Sequence, residues 1–180
     1  MSRPAVFFDR DGVVNVSPGS GYVLRWEDFH FAPGIIEALA LCRARGYALV
    51  LVTSQQCVGK GDLSPAGLAA IHERMQDALR ARGAAFDDIR HCPHLEGTCG
   101  CRKPSPAMIL AARDALDLDL ARSWLVGDHD RDIQMAANAG VPRTVRIASE
   151  KPALAPATHF LPDTQGLPGL LERELSGSCQ

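Results

Sequence analysis

Short apolar runs alternate with longer helix-periodic segments along most of this 180-residue chain. Ala5–Phe8 and Tyr47–Val52 are almost wholly apolar, as are strands that are buried on both faces. Gly34–Arg45 lies between them and repeats apolar residues at helical spacing. Strands and helices that alternate in this way form parallel sheets covered by helices. The sequence therefore predicts an α/β fold: a doubly wound, Rossmann-like, mostly parallel sheet with helices on both faces, formed by residues 1–180 as one domain.

Helix-start signals place several of the remaining elements. Ser64–Pro65 and Ser105–Pro106 each put a capping serine before a proline, which is typical of the first turn of a helix. The predicted helices are 64–83, 105–116, 133–139 and 167–175, and the predicted later strands are 124–126, 145–147 and 159–161. No insertion after Asp11, or between Thr53 and Lys103, is long enough for a separate cap domain.

The charge balance excludes broad classes of partner. A formal net charge of −2 and a pI of about 6.3 provide no general field for nucleic acid or anionic membrane. No apolar run approaches the roughly 20 residues that span a bilayer, and Arg10 follows the first apolar run too soon for a signal peptide. We expect a cytoplasmic, monomeric protein that binds neither nucleic acid nor membrane. Any anion that it recognises must meet a local cluster of positive groups.

Two carboxylates follow the first predicted strand, in the motif Asp9-Arg10-Asp11-Gly12. Carboxylates this close repel each other unless a cation lies between them or one is protonated. The plain alternative is an acidic turn before a glycine. An EF-hand loop is excluded, because the glycine comes too early and Ser20 stands where a bidentate glutamate is needed.

Polar motifs also follow other predicted strands. Thr53-Ser54-Gln55-Gln56 ends the second strand, Arg102 and Lys103 precede a helix start, and Gly127-Asp128-His129-Asp130-Arg131-Asp132 follows 124–126. Alone, these motifs read as turn formers, a solvated cation pair and helix-capping acids. In doubly wound sheets, however, ligands bind beyond the carboxyl ends of the strands, near the switch point. Together the motifs predict one site for phosphate and a cation such as Mg²⁺ at that edge.

Three cysteines and a histidine fall within ten residues, as Cys92-x-His94 and Cys99-x-Cys101. Four such ligands predict a closed tetrahedral Zn²⁺ site, structural rather than catalytic, in a loop at 92–101. Zinc bound there would brace the following residues, including Arg102 and Lys103. The alternatives are free thiols in a long loop, and His91 as the ligand in place of His94. The scattered cysteines, predicted to be buried or a free tail thiol, are Cys42, Cys57 and Cys179.

The ordered set Asp9-x-Asp11-Gly12, Thr53, Lys103 and Gly127-Asp128-x-x-x-Asp132 resembles the four motifs of the haloacid dehalogenase (HAD) superfamily of phosphotransferases. The resemblance implies a HAD-like, Mg²⁺-dependent phosphatase that works through an aspartyl-phosphate. It makes Asp9 the nucleophile and Asp11 the general acid and base, with Thr53 and Lys103 stabilising the phosphoryl group. The Mg²⁺ ligands it implies are Asp9, the backbone carbonyl of Asp11, and Asp128. The substrate-contacting residues it implies are Arg10, Gly19, Ser20, Gly21, Tyr22, Ser54, Gln55, Gln56, Arg102 and His129.

The segments DRDGVVN, CPH…CGCRKP and GDHDRDIQMA narrow the resemblance to a subgroup with heptose-bisphosphate 7-phosphatases and histidinol-phosphate phosphatases. The resemblance favours a phosphorylated sugar, the heptose bisphosphate, as substrate, with histidinol phosphate as the alternative. A zinc-stabilised module without catalysis is a third, more remote reading. The chain departs from the heptose enzymes at His129, where lysine is usual, and at Ser54 and Gln56, where the commoner form reads Thr-Asn-Gln-Ser.

Overall fold

A computed structural model describes residues 2–176, so the prediction for Cys179 lies outside the described residues. Six strands form one sheet in the order β3-β2-β1-β4-β5-β6, and every neighbouring pair is parallel. The strands are β1 (Arg3–Phe8), β2 (Ala48–Ser54), β3 (Asp88–Cys92), β4 (Leu118–Gly127), β5 (Arg143–Ile147) and β6 (His159–Leu161). The predicted parallel α/β sheet is confirmed.

Helices cover both faces of this sheet. They are α1 (Ile35–Ala44), α2 (Gln56–Gly59), α3 (Pro65–Arg80), α4 (Ala107–Leu116), α5 (Asp130–Ala139) and α6 (Leu167–Ser176). Side chains alternate along β1, so that Val6 and Phe8 enter one buried cluster while Ala5 and Phe7 enter the other. The first cluster packs beneath α1, α3 and α6, and the second beneath α4 and α5. This two-sided burial is why the strands read as continuous apolar runs.

The sheet has its topological switch between β1 and β4. The chain runs from β1 outward to β2 and β3, then returns to β4 on the other side of β1. Connections that leave neighbouring strands in opposite directions open a crevice beyond their carboxyl ends. Asp9 directly follows β1 and Asp128 directly follows β4, so both lie at that crevice. None of the helices within residues 2–176 has the length and apolarity that crossing a bilayer requires.

The structure differs from the sequence-based prediction at three elements. β3 was not expected, because Asp88–Cys92 is a polar edge strand with only Cys92 fully buried. β4 begins at Leu118 rather than near 124, and its first residues pair with Arg3 and Pro4 before the register shifts. The short helix α2 was not predicted either. The two strand differences concern segments whose conformation is set by their neighbours in the sheet rather than by an apolar pattern of their own.

A buried cation lies beneath the end of β1. Arg10 is fully buried, and its Nη1 lies 3.3 Å from Nε2 of His72 on α3. Because a guanidinium can only donate, Nε2 is the acceptor and the imidazole carries its proton on Nδ1. His91 of β3 packs edge-on against His72, with 5.9 Å between ring centroids. Burial, followed by the nearby charge of Arg10, lowers the pKa of His72 to about 3.

This neutral histidine should make folding acid-sensitive. Below the ordinary histidine pKa of about 6.5, the unfolded chain takes up a proton that the folded protein does not accept, so stability falls towards low pH by about 1 kcal/mol per pH unit. We expect His72→Gln, which can still accept from Arg10, to lose less stability than the wild type between pH 6.5 and 4.5. Urea denaturation across this range measures the difference. Parallel curves for the two proteins would show that His72 is protonated in the fold.

Candidate active site and metal centres

A cavity of about 160 Å³ lies at the switch point, beyond the carboxyl ends of β1, β2 and β4. The sequence-predicted residues that line it are Asp9, Asp11, Gly19, Gly21, Tyr22, Thr53, Ser54, Arg102, Lys103, Asp128 and His129. Ser17, Pro18, Arg131, Asp132 and Lys151 also line it. Ser20 lines an adjoining cavity of about 500 Å³, and Gln56 lines neither. The separate sequence motifs thus converge on one crevice.

Three carboxylates surround one ammonium group at the base of this cavity. Lys103 Nζ lies 2.8 Å from Asp9 Oδ1 and 2.6 Å from Asp132 Oδ1. Oxygen atoms of Asp9, Asp128 and Asp132 lie within 4.8 Å of one another. A single lysine cannot balance three carboxylates, and oxygen donors are the ligands that Mg²⁺ prefers. The donor set therefore fits a divalent cation.

The pKa values of these groups reflect the excess negative charge. Burial raises the pKa of Asp9 well above its usual value, against the attraction of Lys103. Burial and the charge of Asp132 raise the pKa of Asp128 to about 6. Burial alone would lower the pKa of Lys103, but Asp132 and Asp9 outweigh it and raise that pKa. A cation bound among the carboxylates would relieve the repulsion that these shifts express.

Close packing holds two of the carboxylates in place. Gly12 has a φ of +87°, and a side-chain carbon there would overlap the carboxylate of Asp128. A side chain at Gly127 would overlap Asp132 in the same way. Asp132 also accepts from the backbone N–H of His129 at 3.1 Å, which caps α5. The glycines of the two acidic motifs are thus required by how closely the chain approaches these carboxylates.

Asp11 has different surroundings and stands apart from the three-carboxylate group. Its carboxylate accepts from Asn15 Nδ2 at 3.0 Å, from Gln55 Nε2 at 2.9 Å, and from Arg10 at 3.1–3.3 Å. Every one of these partners is a donor, so the oxygen atoms of Asp11 are the acceptors in all of these hydrogen bonds. Two residues expected to contact substrate have side chains that do not line the cavity. Arg10 is 0% exposed and Gln55 is 1% exposed, so both support Asp11 from below and neither faces the cavity.

Unpartnered donors lie beside the acidic group. Among the described residues, Oγ of Ser54 and Nε and Nη1 of Arg102 are buried with no hydrogen-bond partner in the protein. Buried polar groups are normally paired, so these atoms indicate a bound polar group. Both side chains line the cavity. A phosphate or a sugar hydroxyl is the kind of group that would satisfy them.

Lysine is usual at position 129 in the heptose enzymes, but His129 does not supply the permanent positive charge of a lysine. Its Nδ1 accepts from the backbone N–H of Arg131 at 3.1 Å, and burial followed by the charge of Arg131 lowers its pKa. Lys151 lines the same side of the cavity and supplies a positive charge there, although the sequence motifs did not single it out. Its loop is tied down by Arg146, which donates to Asp130 at 3.0 Å and to the carbonyl of Lys151 at 3.4 Å.

The four predicted zinc ligands converge on one point. Cys92 Sγ lies 3.5 Å from Cys99 Sγ and 3.7 Å from His94 Nδ1; Cys101 Sγ lies 3.5 Å from Cys99 Sγ and 3.3 Å from His94 Nδ1. Tetrahedral ligands at zinc's usual bond lengths lie roughly 3.5–3.8 Å apart, so the set fits that ion. Cys92 ends β3 instead of lying in a loop, whereas His91 faces away towards α3.

Comparison with known proteins identifies the family of the chain. The family model for HAD-hydrolase-like proteins matches residues 100–163. The D-glycero-beta-D-manno-heptose-1,7-bisphosphate 7-phosphatase of Vibrio cholerae is 39% identical over 185 residues, covering 96% of this chain and 98% of the relative. The Escherichia coli K12 protein of the same name is 39% identical over 159 residues, covering 84% of this chain and 82% of the relative.

A solved structure shows the same fold. The D,D-heptose 1,7-bisphosphate phosphatase from B. bronchiseptica, complexed with magnesium and phosphate, superposes with a TM-score of 0.82 at 31% identity. The match covers 95% of this chain and 99% of that one. The chain belongs to the HAD-like hydrolases, in the family of the D-glycero-beta-D-manno-heptose-1,7-bisphosphate 7-phosphatases.

Proposed function

We propose that this protein is a cytoplasmic, monomeric, single-domain phosphatase that uses Mg²⁺ to remove the 7-phosphate from heptose 1,7-bisphosphate. One observation carries the proposal: a buried lysine shared by Asp9 and Asp132, with a third carboxylate nearby, forms the floor of a cavity that unpartnered donors line. This arrangement suits a phosphate group that approaches a carboxylate with a cation between them. The relatives' names point to the same substrate.

The metal site is proposed on Asp9, Asp128 and the backbone carbonyl of Asp11. Mg²⁺ bound there would offset the charge of the phosphate dianion and orient it towards Asp9. Asp132 is buried and bonded to both Lys103 and the His129 backbone, so we assign it the task of positioning the lysine. The sequence motif contained Asp132, but spacing alone did not distinguish a metal ligand from a positioning residue.

Catalysis proceeds in two displacements at phosphorus. An Oδ atom of Asp9 bonds to phosphorus while the ester P–O bond breaks, and its electron pair and a proton from Asp11 go to the sugar oxygen. Water then attacks the aspartyl-phosphate and gives a proton to Asp11, which restores the carboxylate of Asp9 and releases phosphate. Lys103 and the hydroxyl of Thr53 stabilise the phosphoryl oxygens throughout.

Replacing the nucleophile should stop turnover without unfolding the protein. Asp9→Asn keeps the shape of the side chain and removes the attacking charge, so we expect kcat to fall by about 10⁴-fold or more. Neutralising one of three clustered carboxylates should leave the melting temperature of the metal-free protein equal or higher. Phosphate release and thermal unfolding measure the two effects. Appreciable turnover by this variant would rule out Asp9 as the nucleophile.

The zinc ion is proposed to be structural. Its ligands end at Cys101, directly before Arg102 and Lys103, so the ion would fix the backbone that presents both cations. Cys99→Ser should therefore reduce bound zinc from about one equivalent, lower the free energy of unfolding, and lower kcat. Elemental analysis and urea denaturation test this, with Cys42→Ala, a buried thiol in another core cluster, as the matched control. Wild-type protein purified without chelators and free of zinc would contradict it.

The side chain of Arg102 predicts a preference between heptose bisphosphate and histidinol phosphate, the two substrates that the family resemblance allows. Its buried, unpartnered Nε and Nη1 can grip a second phosphate as a fork, and Lys151 adds charge nearby. Histidinol phosphate has no second phosphate, so the geometry favours the bisphosphate. Because a charged hydrogen bond contributes about 1.5–3 kcal/mol, kcat/KM should be at least about tenfold higher for the bisphosphate. Side-by-side kinetics decide this, and a preference for histidinol phosphate would overturn the assignment.

The matched variant Arg102→Lys keeps the charge and removes the fork. We expect it to narrow the ratio of kcat/KM between the two substrates, chiefly through a weaker bisphosphate reaction. An unchanged ratio would place the second phosphate elsewhere in the cavity.

A further inference from the structure

One buried amide joins two of the residues that serve the reaction. Gln55 lies directly after β2, and its Nε2 is 2.9 Å from Asp11 Oδ2 and 2.8 Å from Thr53 Oγ1. Both Gln55 and Thr53 are 1% exposed, so water does not compete for these bonds. The amide oxygen lies 3.7 Å from the buried thiol of Cys57, a donor. Gln55 was expected to bind substrate, but its side chain is fully used by the protein.

The chemistry of the amide fixes the direction of each hydrogen bond. Its nitrogen has two hydrogens and accepts nothing, so Asp11 and Thr53 must both be acceptors. The opposite amide orientation would place its oxygen against the carboxylate of Asp11, which is repulsive. Since the Thr53 oxygen accepts from Gln55, its own hydrogen remains free to be donated. Thr53 lines the cavity, where that hydrogen can reach a phosphoryl oxygen.

We propose that Gln55 is a positioning residue for catalysis: its single amide orients the carboxylate of Asp11 as a base and the hydroxyl of Thr53 as a donor. The inference rests on the proposed phosphatase reaction. Gln55 touches neither substrate nor metal, and acts through the two residues that it holds.

Orienting Thr53 and orienting Asp11 affect the formation and the hydrolysis of the phosphoenzyme differently. Thr53 contacts the phosphoryl group in both steps, so misplacing its hydroxyl slows both. Asp11 takes a proton from the attacking water in the second step, so a carboxylate that Gln55 no longer orients slows that step. A substrate whose leaving group departs without a proton, such as p-nitrophenyl phosphate, does not need Asp11 as an acid. With this substrate, losing Gln55 should therefore slow hydrolysis of the phosphoenzyme more than its formation.

The experiment uses full-length, zinc- and Mg²⁺-loaded enzyme with p-nitrophenyl phosphate in rapid-quench flow. Gln55→Met keeps the length of the side chain and removes both donors. We expect the rate constant of phosphoenzyme hydrolysis to fall about tenfold further than that of its formation. This loss is smaller than the roughly 10²- to 10⁴-fold that a positioned acid or base contributes, because Asp11 itself remains. Acid-quenched phosphoenzyme should accumulate to a higher level than in the wild type.

Gln76→Met is the matched control. Gln76 is a glutamine on α3 that also makes two hydrogen bonds, donating to the carbonyl of Phe86 and accepting from its N–H, both at 2.9 Å. Its loss should lower the melting temperature and leave the ratio of the two rate constants unchanged. Gln55→Leu is a second variant without any donor, and it carries the test if Gln55→Met does not fold.

The outcomes separate this inference from the proposed function. If the wild type forms no phosphoenzyme, the proposed reaction fails. If the wild type forms one and the folded Gln55 variant retains the wild-type ratio of rate constants, only the positioning role is overturned. An equal loss in Gln76→Met would show that the effect is general destabilisation, which also overturns it.

Discussion

The uncompensated negative charge at the carboxyl ends of β1 and β4 is the constraint on which the site depends. Asp9, Asp128 and Asp132 lie close together, and Lys103 is paired with two of them. Such an arrangement is unfavourable in the empty protein, because buried like charges repel with little solvent to screen them. The sheet holds the carboxylates together, and the glycines leave room for them to lie close to the backbone. A divalent cation bound among the carboxylates would offset this repulsion.

The amino-acid pattern predicts most of the fold, because the strands that matter are buried on both faces. The apolar runs of β1 and β2 and the serine–proline starts of α3 and α4 locate elements within a few residues. The same reasoning does not predict β3. As an edge strand with polar residues, it is defined by hydrogen bonds to β2, and those are not visible in a linear sequence. The beginning of β4 is hidden for a similar reason, since it pairs with Arg3 and Pro4 through an irregular register.

The chemistry of the site was easier to predict than the task of each residue in it. Spacing and the family motifs singled out Asp9, Asp128, Lys103 and the four cysteine and histidine residues, and the structure brings these residues together in two clusters. They could be singled out because the types of side chain needed for metal and phosphate are few. Spacing could not show that Arg10 points inward, since a residue between two carboxylates can face either a ligand or the core. Lys151 was missed because it reaches the cavity from a loop with no motif of its own. Burial and hydrogen bonding decide such cases, and both require coordinates.

The switch between β1 and β4 has a consequence for how the protein acquires activity during synthesis. Asp9 emerges from the ribosome early, but the strand beside it, β4, begins only at Leu118 and is followed by Asp128 and Asp132. An N-terminal fragment ending before β4 contains Asp9 without Asp128 and Asp132, the other carboxylates of its cluster. The order of strands therefore delays the completed charge cluster until most of the chain has been synthesised.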